Sequence, residues 1–147
     1  MKIKESNKLF AIIITLIILI LAVLLIRSLY ISSNSNKDYL PNVTMVNSEE
    51  LETYIMENST VYLYINNSKT SINKRFEKDL NKYQYNSKVV HYDASTGTDE
   101  FLNNFINERQ IKIEELPAFV YIKDNEVMTV FFKDDLVISN VEKLIEG

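Results

Sequence analysis

The feature that most constrains the fold is a strand–turn–strand pattern near the carboxyl end of the chain, from Glu115 to Val127. Pro117 opens it, and the apolar run Phe119–Ile122 is typical of a strand buried on both faces. Proline has no amide to donate to a sheet, so it suits the start of such a strand and not its interior. Asp124-Asn125 predicts a two-residue turn before a second strand. The segment therefore predicts an antiparallel hairpin whose first strand is buried.

Helical and strand patterns alternate ahead of this hairpin. Ser48 begins a helix as its predicted cap, and the β-branched and aromatic run Thr60–Ile65 predicts a central strand. A helix with a strong apolar face follows, then a short strand at Lys88–Tyr92 and a helix at Asp99–Ile106. A last helix begins near Ser139. The order is helix, strand, helix, strand, helix, strand, strand, helix, which predicts an α/β domain with parallel units first and a hairpin last.

An apolar segment precedes the domain. Leu9–Ile26 contains Thr15 as its only side chain that is not a hydrocarbon, and eighteen helical residues span ~27 Å, close to the hydrocarbon thickness of a bilayer. Lysines crowd its amino-terminal side, at Lys2, Lys4 and Lys8. The positive-inside rule therefore predicts a cytoplasmic amino terminus and a domain outside the cell membrane. A cleavable leader is the alternative, with cleavage near Ser32-Ser33, although leaders have a shorter apolar core of about 7–15 residues.

These patterns predict four regions: a cytoplasmic end at 1–8, a single-pass anchor at Leu9–Leu29, a polar linker at 30–45 and a folded domain at 46–147. Outside the anchor and its flanking charges, the chain carries 12 basic and 19 acidic residues. Such an acidic balance predicts no nucleic-acid partner.

The residue inventory excludes several chemistries. The chain has no cysteine, so it forms no disulfide, no thiolate metal site and no thiol nucleophile by itself. His91 is the only histidine, in an alternating strand pattern, and we interpret it as structural. No glycine-rich phosphate loop is present. We expect no metal and no cofactor.

The order of elements over 46–147, together with the strand that opens at Pro117, resembles the thioredoxin fold. The resemblance implies a thioredoxin-like α/β domain, a central mixed sheet flanked by helices, here preceded by one transmembrane helix. In that family a Cys-x-x-Cys pair lies where the first central strand turns into its helix, and apolar residues follow the second cysteine at three, seven and ten positions. Phe76, Leu80 and Tyr83 fit this spacing if Asn73 takes the place of the second cysteine.

The tetrapeptide at the redox position is then Thr70-Ser71-Ile72-Asn73, and a shifted register gives Ser68-Lys69-Thr70-Ser71. Neither contains a thiol, and an unactivated hydroxyl does not exchange with disulfides. We therefore predict a protein that is not an oxidoreductase on its own.

The resemblance also implies that Leu116 and Pro117 can hold an extended peptide by main-chain hydrogen bonds, although the proline also serves the fold itself. The arrangement of anchor, domain and Leu-Pro strand is similar to bacteriocin transport accessory proteins of Gram-positive bacteria. The predicted function is protein or peptide binding by a redox-inactive module. One alternative is a subunit that presents substrate to a cysteine-bearing partner in a thiol-disulfide or bacteriocin export system; another is a structural or immunity-type surface protein.

Overall fold

The computed structural model describes the backbone of residues 2–35 and 39–147, and the side chains of residues 8, 10, 12–27 and 39–147. The chain divides into two compact units, Met1–Lys37 and Asp38–Gly147, each with its own internal contacts.

The first unit is built on one long helix, α1, which spans Lys2–Ser35. The large apolar side chains from Ile12 to Ile26 are exposed, between 42% and 67% of their surface. The helix continues into the region expected to be linker. Positions 9, 11, 28 and 29 of the expected anchor lie outside the described side chains, and so do positions 30–38 of the expected linker. Among the described residues, no helix combines the length and the apolar character needed to cross a membrane.

The second unit is organised on a mixed sheet whose strands stand in the order β1-β3-β2-β4-β5. β1 and β2 both pair with β3 in parallel, whereas β4 runs antiparallel to β2 and to β5. The strands are β1 Thr44–Met45, β2 Thr60–Asn66, β3 Val89–Asp93, β4 Ala118–Lys123 and β5 Glu126–Phe132. The predicted hairpin is present, since Asp124 and Asn125 form its turn with φ of 50° and 65°.

Four helices cover the two faces of this sheet and bury two apolar clusters. They are α2 Ser48–Glu57, α3 Lys74–Lys82, α4 Asp99–Glu108 and α5 Ile138–Glu146. Leu51 of α2 and Phe105 of α4 belong to the cluster on one face. Phe76 and Leu80 of α3 belong to the cluster on the other face, together with Val141 of α5.

The folded unit starts earlier in the chain than the sequence pattern indicated. Leu40 and Val43 are buried in the same cluster as α3, and β1 follows directly. Val46 extends the pairing of β1 with β3, because its amide donates to the carbonyl of His91 at 2.9 Å. Residues 39–45, which we expected to be linker, thus pack against the domain.

The helix caps also differ from expectation. Asn47, and not Ser48, caps α2: its side chain accepts from the amides of Glu49 and Glu50, and Glu50 reciprocates to the Asn47 amide. This is a capping box shifted by one residue. The cap of α5 is Val137, which offers no side-chain bond, so Ser139 lies inside the helix.

Candidate functional site

The sheet topology brings the predicted site segments to one edge. β2 and β3 end side by side, with Asn66 opposite Asp93. β4 runs the other way, so its first residue, Ala118, lies opposite Ile65 near the end of β2. The loop after β2 and the residues before β4 therefore meet at the carboxyl ends of the parallel strands, where open α/β sheets bind ligands.

The loop that follows β2 is closed on itself. The amide of Asn67 donates to the Ser71 carbonyl at 3.1 Å, and the amide of Ser71 donates back at 2.7 Å. The Asn67 side chain also accepts from the amides of Lys69 and Thr70. Thr70 is left exposed at the tip, with its hydroxyl 3.4 Å from that of Ser71. Side-chain and backbone bonds therefore shape a polar hairpin between β2 and α3.

The predicted tetrapeptide ends at the start of α3. Asn73 is the cap of this helix, and its side chain accepts from the amide of Phe76 at 3.0 Å. Ile72 lies just before the helix and is half-buried. Phe76, Leu80 and Tyr83 are buried as the apolar spacing indicated. Of the four predicted site residues, Asn73 thus has a clear structural role, while Thr70 presents its side chain to solvent.

Leu116 and Pro117 form the opposite side of the edge. The peptide bond between them is cis. Both residues are half-buried, and Leu116 packs against the cluster that contains Leu51 and Phe105. No loop or turn hydrogen bond among the described residues uses the amide or carbonyl of Leu116. These groups can therefore bond to an incoming extended segment.

An ion pair flanks this side. The ammonium of Lys133, just after β5, donates to the carboxylate of Glu114. That hydrogen bond holds the pKa of Glu114 below its usual value and raises the pKa of Lys133. Glu115, next in sequence, is exposed and unmatched by a salt bridge in the described chain. The rim before Pro117 therefore keeps a net acidic character.

Beneath the site lies a buried polar chain that the sequence analysis missed. Glu77 of α3 accepts from the Tyr64 hydroxyl and from the Asn66 side-chain amide, each at 2.8 Å. The side-chain oxygen of Asn66, Oδ1, lies 2.8 Å from Nε2 of His91. Because the Asn66 amide already donates to Glu77, its oxygen accepts, so Nε2 of His91 carries the hydrogen. Burial, and then the charge of Glu77, raise the pKa of Tyr64.

His91 and Glu77 are thus core residues of a satisfied network. Their relative exposures are 7% and 2%. Sequence carried one signal for this network: Tyr64 and Asn66 point to the same face of β2, the face that α3 covers. At 100° per residue Glu77 lies about 60° around the helix from Leu80, outside the arc of Phe76, Leu80 and Tyr83, so the apolar periodicity did not predict its burial.

A second polar cluster holds the ends of β2 and β3 together. Asp93 is 5% exposed, and its carboxylate accepts from the amides of Ser68 and Ser95 at 3.0 Å and 2.9 Å. The two serine hydroxyls lie 2.9 Å apart. Burial favours a higher pKa for Asp93, but the hydrogen bonds from Ser68 and Ser95 outweigh it and lower the pKa. This cluster positions the start of the polar loop.

The groups that the edge presents are hydrogen-bond donors and acceptors. No group of three or more His, Asp or Glu side chains in the described part of the chain is placed to hold a metal ion. The chain has no thiol, and the ring of its one histidine is committed to Asn66 inside the core. What the site presents is an exposed hydroxyl-rich loop, the peptide groups of Leu116 and an acidic rim.

Comparison with known proteins identifies the fold. No protein-family model and no curated protein sequence matches the chain. Among solved structures, a provisionally assigned oxidoreductase with a thioredoxin fold aligns with a TM-score of 0.54 at 16% identity, covering 74% of this chain and 97% of its own. Thioredoxin from Trypanosoma brucei brucei aligns with a TM-score of 0.50 at 13% identity, covering 73% and 94%. The expected thioredoxin-like α/β fold is confirmed, in a chain without cysteine.

Proposed function

We propose that this protein is a membrane-tethered, extracytoplasmic binding module in which a thioredoxin-like domain holds an extended protein segment without redox chemistry. The observation that carries the binding role is the open peptide group of Leu116 facing the end of β2. Pairing starts only at Ala118, and no loop or turn bond in the described part of the chain uses the amide or carbonyl of Leu116, so an incoming strand can bond to both beside a half-buried apolar side chain. Main-chain bonds of this kind recognise an extended backbone with little regard to its sequence.

The absence of oxidoreductase activity is part of the proposal. Disulfide exchange needs a thiolate as nucleophile, and this chain has no cysteine. The loop from Asn67 to Ser71 is closed by its own backbone bonds and places hydroxyls at the surface. Such hydroxyls can donate and accept hydrogen bonds to a bound segment, so the loop serves as the second wall of a groove.

The tether rests on the sequence of the first unit. We infer it from the full apolar run Leu9–Ile26, which as an eighteen-residue helix would match the hydrocarbon thickness of a bilayer, and from the three lysines that precede it. The resulting orientation places the domain outside the cell. A salt-resistant membrane fraction that releases the domain on protease treatment of intact cells would support it, and a protein recovered in the soluble fraction would contradict it.

A second function is favoured by the vacant redox position. The domain pattern is similar to bacteriocin transport accessory proteins of Gram-positive bacteria, and a module that binds substrate without thiols can present it to a cysteine-bearing partner. In this version the bound segment contains cysteine, and its oxidation state changes when the protein is deleted. If the oxidation state of that cysteine does not change on deletion, the second function is contradicted and binding without presentation remains the proposal.

In-cell crosslinking of the full-length protein, read by mass spectrometry, tests the groove. Thr70→Asp and Leu116→Asp place a charge on each wall, and we expect one dominant partner to be lost in both. Met56→Asp is the matched control, because Met56 is 71% exposed on α2, close to the amino end of β2. Thermal unfolding of each variant separates loss of binding from loss of fold. A partner retained in both groove variants would assign binding to another surface.

A further inference from the structure

The outward face of α3 is strongly basic. Four cationic side chains line it, all exposed: Lys74, Arg75, Lys78 and Lys82. At 100° per residue they fall within one sector of about 100°, and that sector lies opposite the buried side chains Phe76 and Leu80. None of the four belongs to a salt bridge among the described residues. The face therefore presents positive charge that no described salt bridge neutralises, with the half-buried Asp79 at its border next to Arg75.

This charge stands out against the rest of the domain. Residues 38–147 carry 11 basic and 19 acidic side chains. Five of the 11 basic residues fall within 69–82, whereas residues 38–68 contain five acidic residues and no basic residue. A solvated surface of average composition would intersperse the two signs. The concentration on one helix face indicates a surface that meets negative charge.

The chain enters the folded domain along this same face. The amide of Asn42 donates to the Asn81 side chain at 2.8 Å, and the Asn42 side chain donates to the Asn81 carbonyl at 3.4 Å. The ammonium of Lys78 lies over the ring of Tyr39, 5.7 Å from its centroid. The segment that precedes the domain therefore joins it at the edge of the basic face.

We propose that the basic face of α3 binds the anionic headgroups of the bilayer that holds the apolar segment. This inference rests on the proposed membrane tether. The twelve residues 27–38 reach ~18 Å as a helix and about 40 Å when extended, so the domain stays near the surface at high effective concentration. Each basic residue at an anionic surface strengthens association roughly fivefold at low salt. The domain then lies with α3 against the lipid. This orientation determines how accessible the sheet edge at Leu116 is to other proteins.

Lysine footprinting of the full-length protein in lipid nanodiscs tests the contact. Nanodiscs of phosphatidylcholine are compared with nanodiscs in which about one third of the lipid is phosphatidylglycerol. Amines are then acetylated with a water-soluble reagent. We expect Lys74, Lys78 and Lys82 to react at least fivefold more slowly in the anionic discs, and the protection to vanish in 0.5 M salt. Lys112, Lys123 and Lys143 are internal references, whose reactivity should be equal in both lipids.

Two charge variants sharpen the result. Lys74→Glu, Arg75→Glu and Lys78→Glu combined should remove the protection of Lys82, whereas Lys112→Glu, Lys123→Glu and Lys143→Glu, with the same change in net charge, should leave it intact. Equal reactivity of the α3 lysines in the two lipids overturns the inference. Retention of the chain in the discs at 0.5 M salt reports on the tether separately. Loss of retention overturns tether and surface together, whereas retention without protection overturns only the surface.

Discussion

The hydroxyl of Tyr64 on β2 donates to the carboxyl group of Glu77 on α3 at 2.8 Å, inside the core. Tyr64 is fully buried and Glu77 is 2% exposed. The bond ties the helix that ends the candidate site to the central strand of the sheet, and its partner Asn66 lies at the very end of that strand. The network therefore positions α3 by polar contacts as well as by apolar packing.

The first prediction concerns this bond. Tyr64→Phe leaves Glu77 buried with one donor fewer, and we expect the free energy of unfolding to fall by about 1–3 kcal/mol. Urea denaturation measures it. Tyr62→Phe, two residues along the same strand face, is the control: Tyr62 stacks on Tyr121 through its ring, and no described hydrogen bond uses its hydroxyl. Equal losses of unfolding free energy in the two variants would show that the bond from Tyr64 to Glu77 does not contribute to stability.

A second prediction follows from Asp93, whose pKa is lowered from 3.8 in the folded protein. A depressed carboxyl pKa contributes stability above the unfolded value and loses it as the pH falls through the folded value. The unfolding free energy should therefore decline below a pH of about 4. Asp93→Asn should be less stable at neutral pH and show a flatter acid limb, as measured by thermal unfolding from pH 2 to pH 7. Asp124→Asn, at an exposed turn, should keep the acid limb of the unmodified protein; an unchanged limb in Asp93→Asn would assign the acid sensitivity to other groups.

The third prediction compares two ion pairs. Arg109 holds Glu52 through both of its terminal nitrogens, at 3.0 Å and 2.6 Å, and its side chain is only 11% exposed. Glu52→Gln removes one charge of this pair, and we expect a loss of about 1–2 kcal/mol in unfolding free energy. Glu114→Gln breaks the exposed pair with Lys133 and should lower the unfolding free energy less, because solvent screens that pair. A larger loss of unfolding free energy in Glu114→Gln than in Glu52→Gln would contradict the expectation that the less exposed pair contributes more.

The fourth prediction tests the position of the missing thiols. Because the chain has no native cysteine, a pair introduced at Thr70→Cys and Asn73→Cys can only react with each other within one molecule. We expect a reducible disulfide there, seen as a mass change on alkylation before and after reduction. Loss of the Asn73 cap should lower stability by about 1 kcal/mol. If the pair fails to form while Ser68→Cys with Ser71→Cys succeeds, the register is shifted by two residues.

Local patterns predicted most of the domain because they report which face of an element is buried. The spacing of Phe76, Leu80 and Tyr83 located α3, and the run after Pro117 located β4. Strand β1 was missed because it has only two residues and exists through its pairing with the distant β3, which no local pattern reveals. The role of Leu40 and Val43 was missed for the same reason, since their burial depends on α3.

The polar part of the site was harder to predict. Asparagine, serine and glutamate are ordinary surface residues, and their burial shows only when their partners are known. Glu77 stands among basic residues in sequence, yet it is buried and accepts hydrogen bonds from Tyr64 and Asn66. The cap is Asn47 and not Ser48 because the Asn47 side chain accepts from the amides of Glu49 and Glu50. Hydrogen-bond geometry, unlike periodicity, is set by the assembled fold.

The short first strand has a mechanical consequence for a tethered domain. Tension transmitted through residue 38 would act first on the contacts of Leu40 and Val43 and on the two pairs that join β1 to β3. Peeling residues 39–46 from the edge would release about 26 Å of chain while β2, β3, β4 and β5 stay paired. In a tethered domain, residues 39–46 would therefore extend under load before the four longer strands bear force.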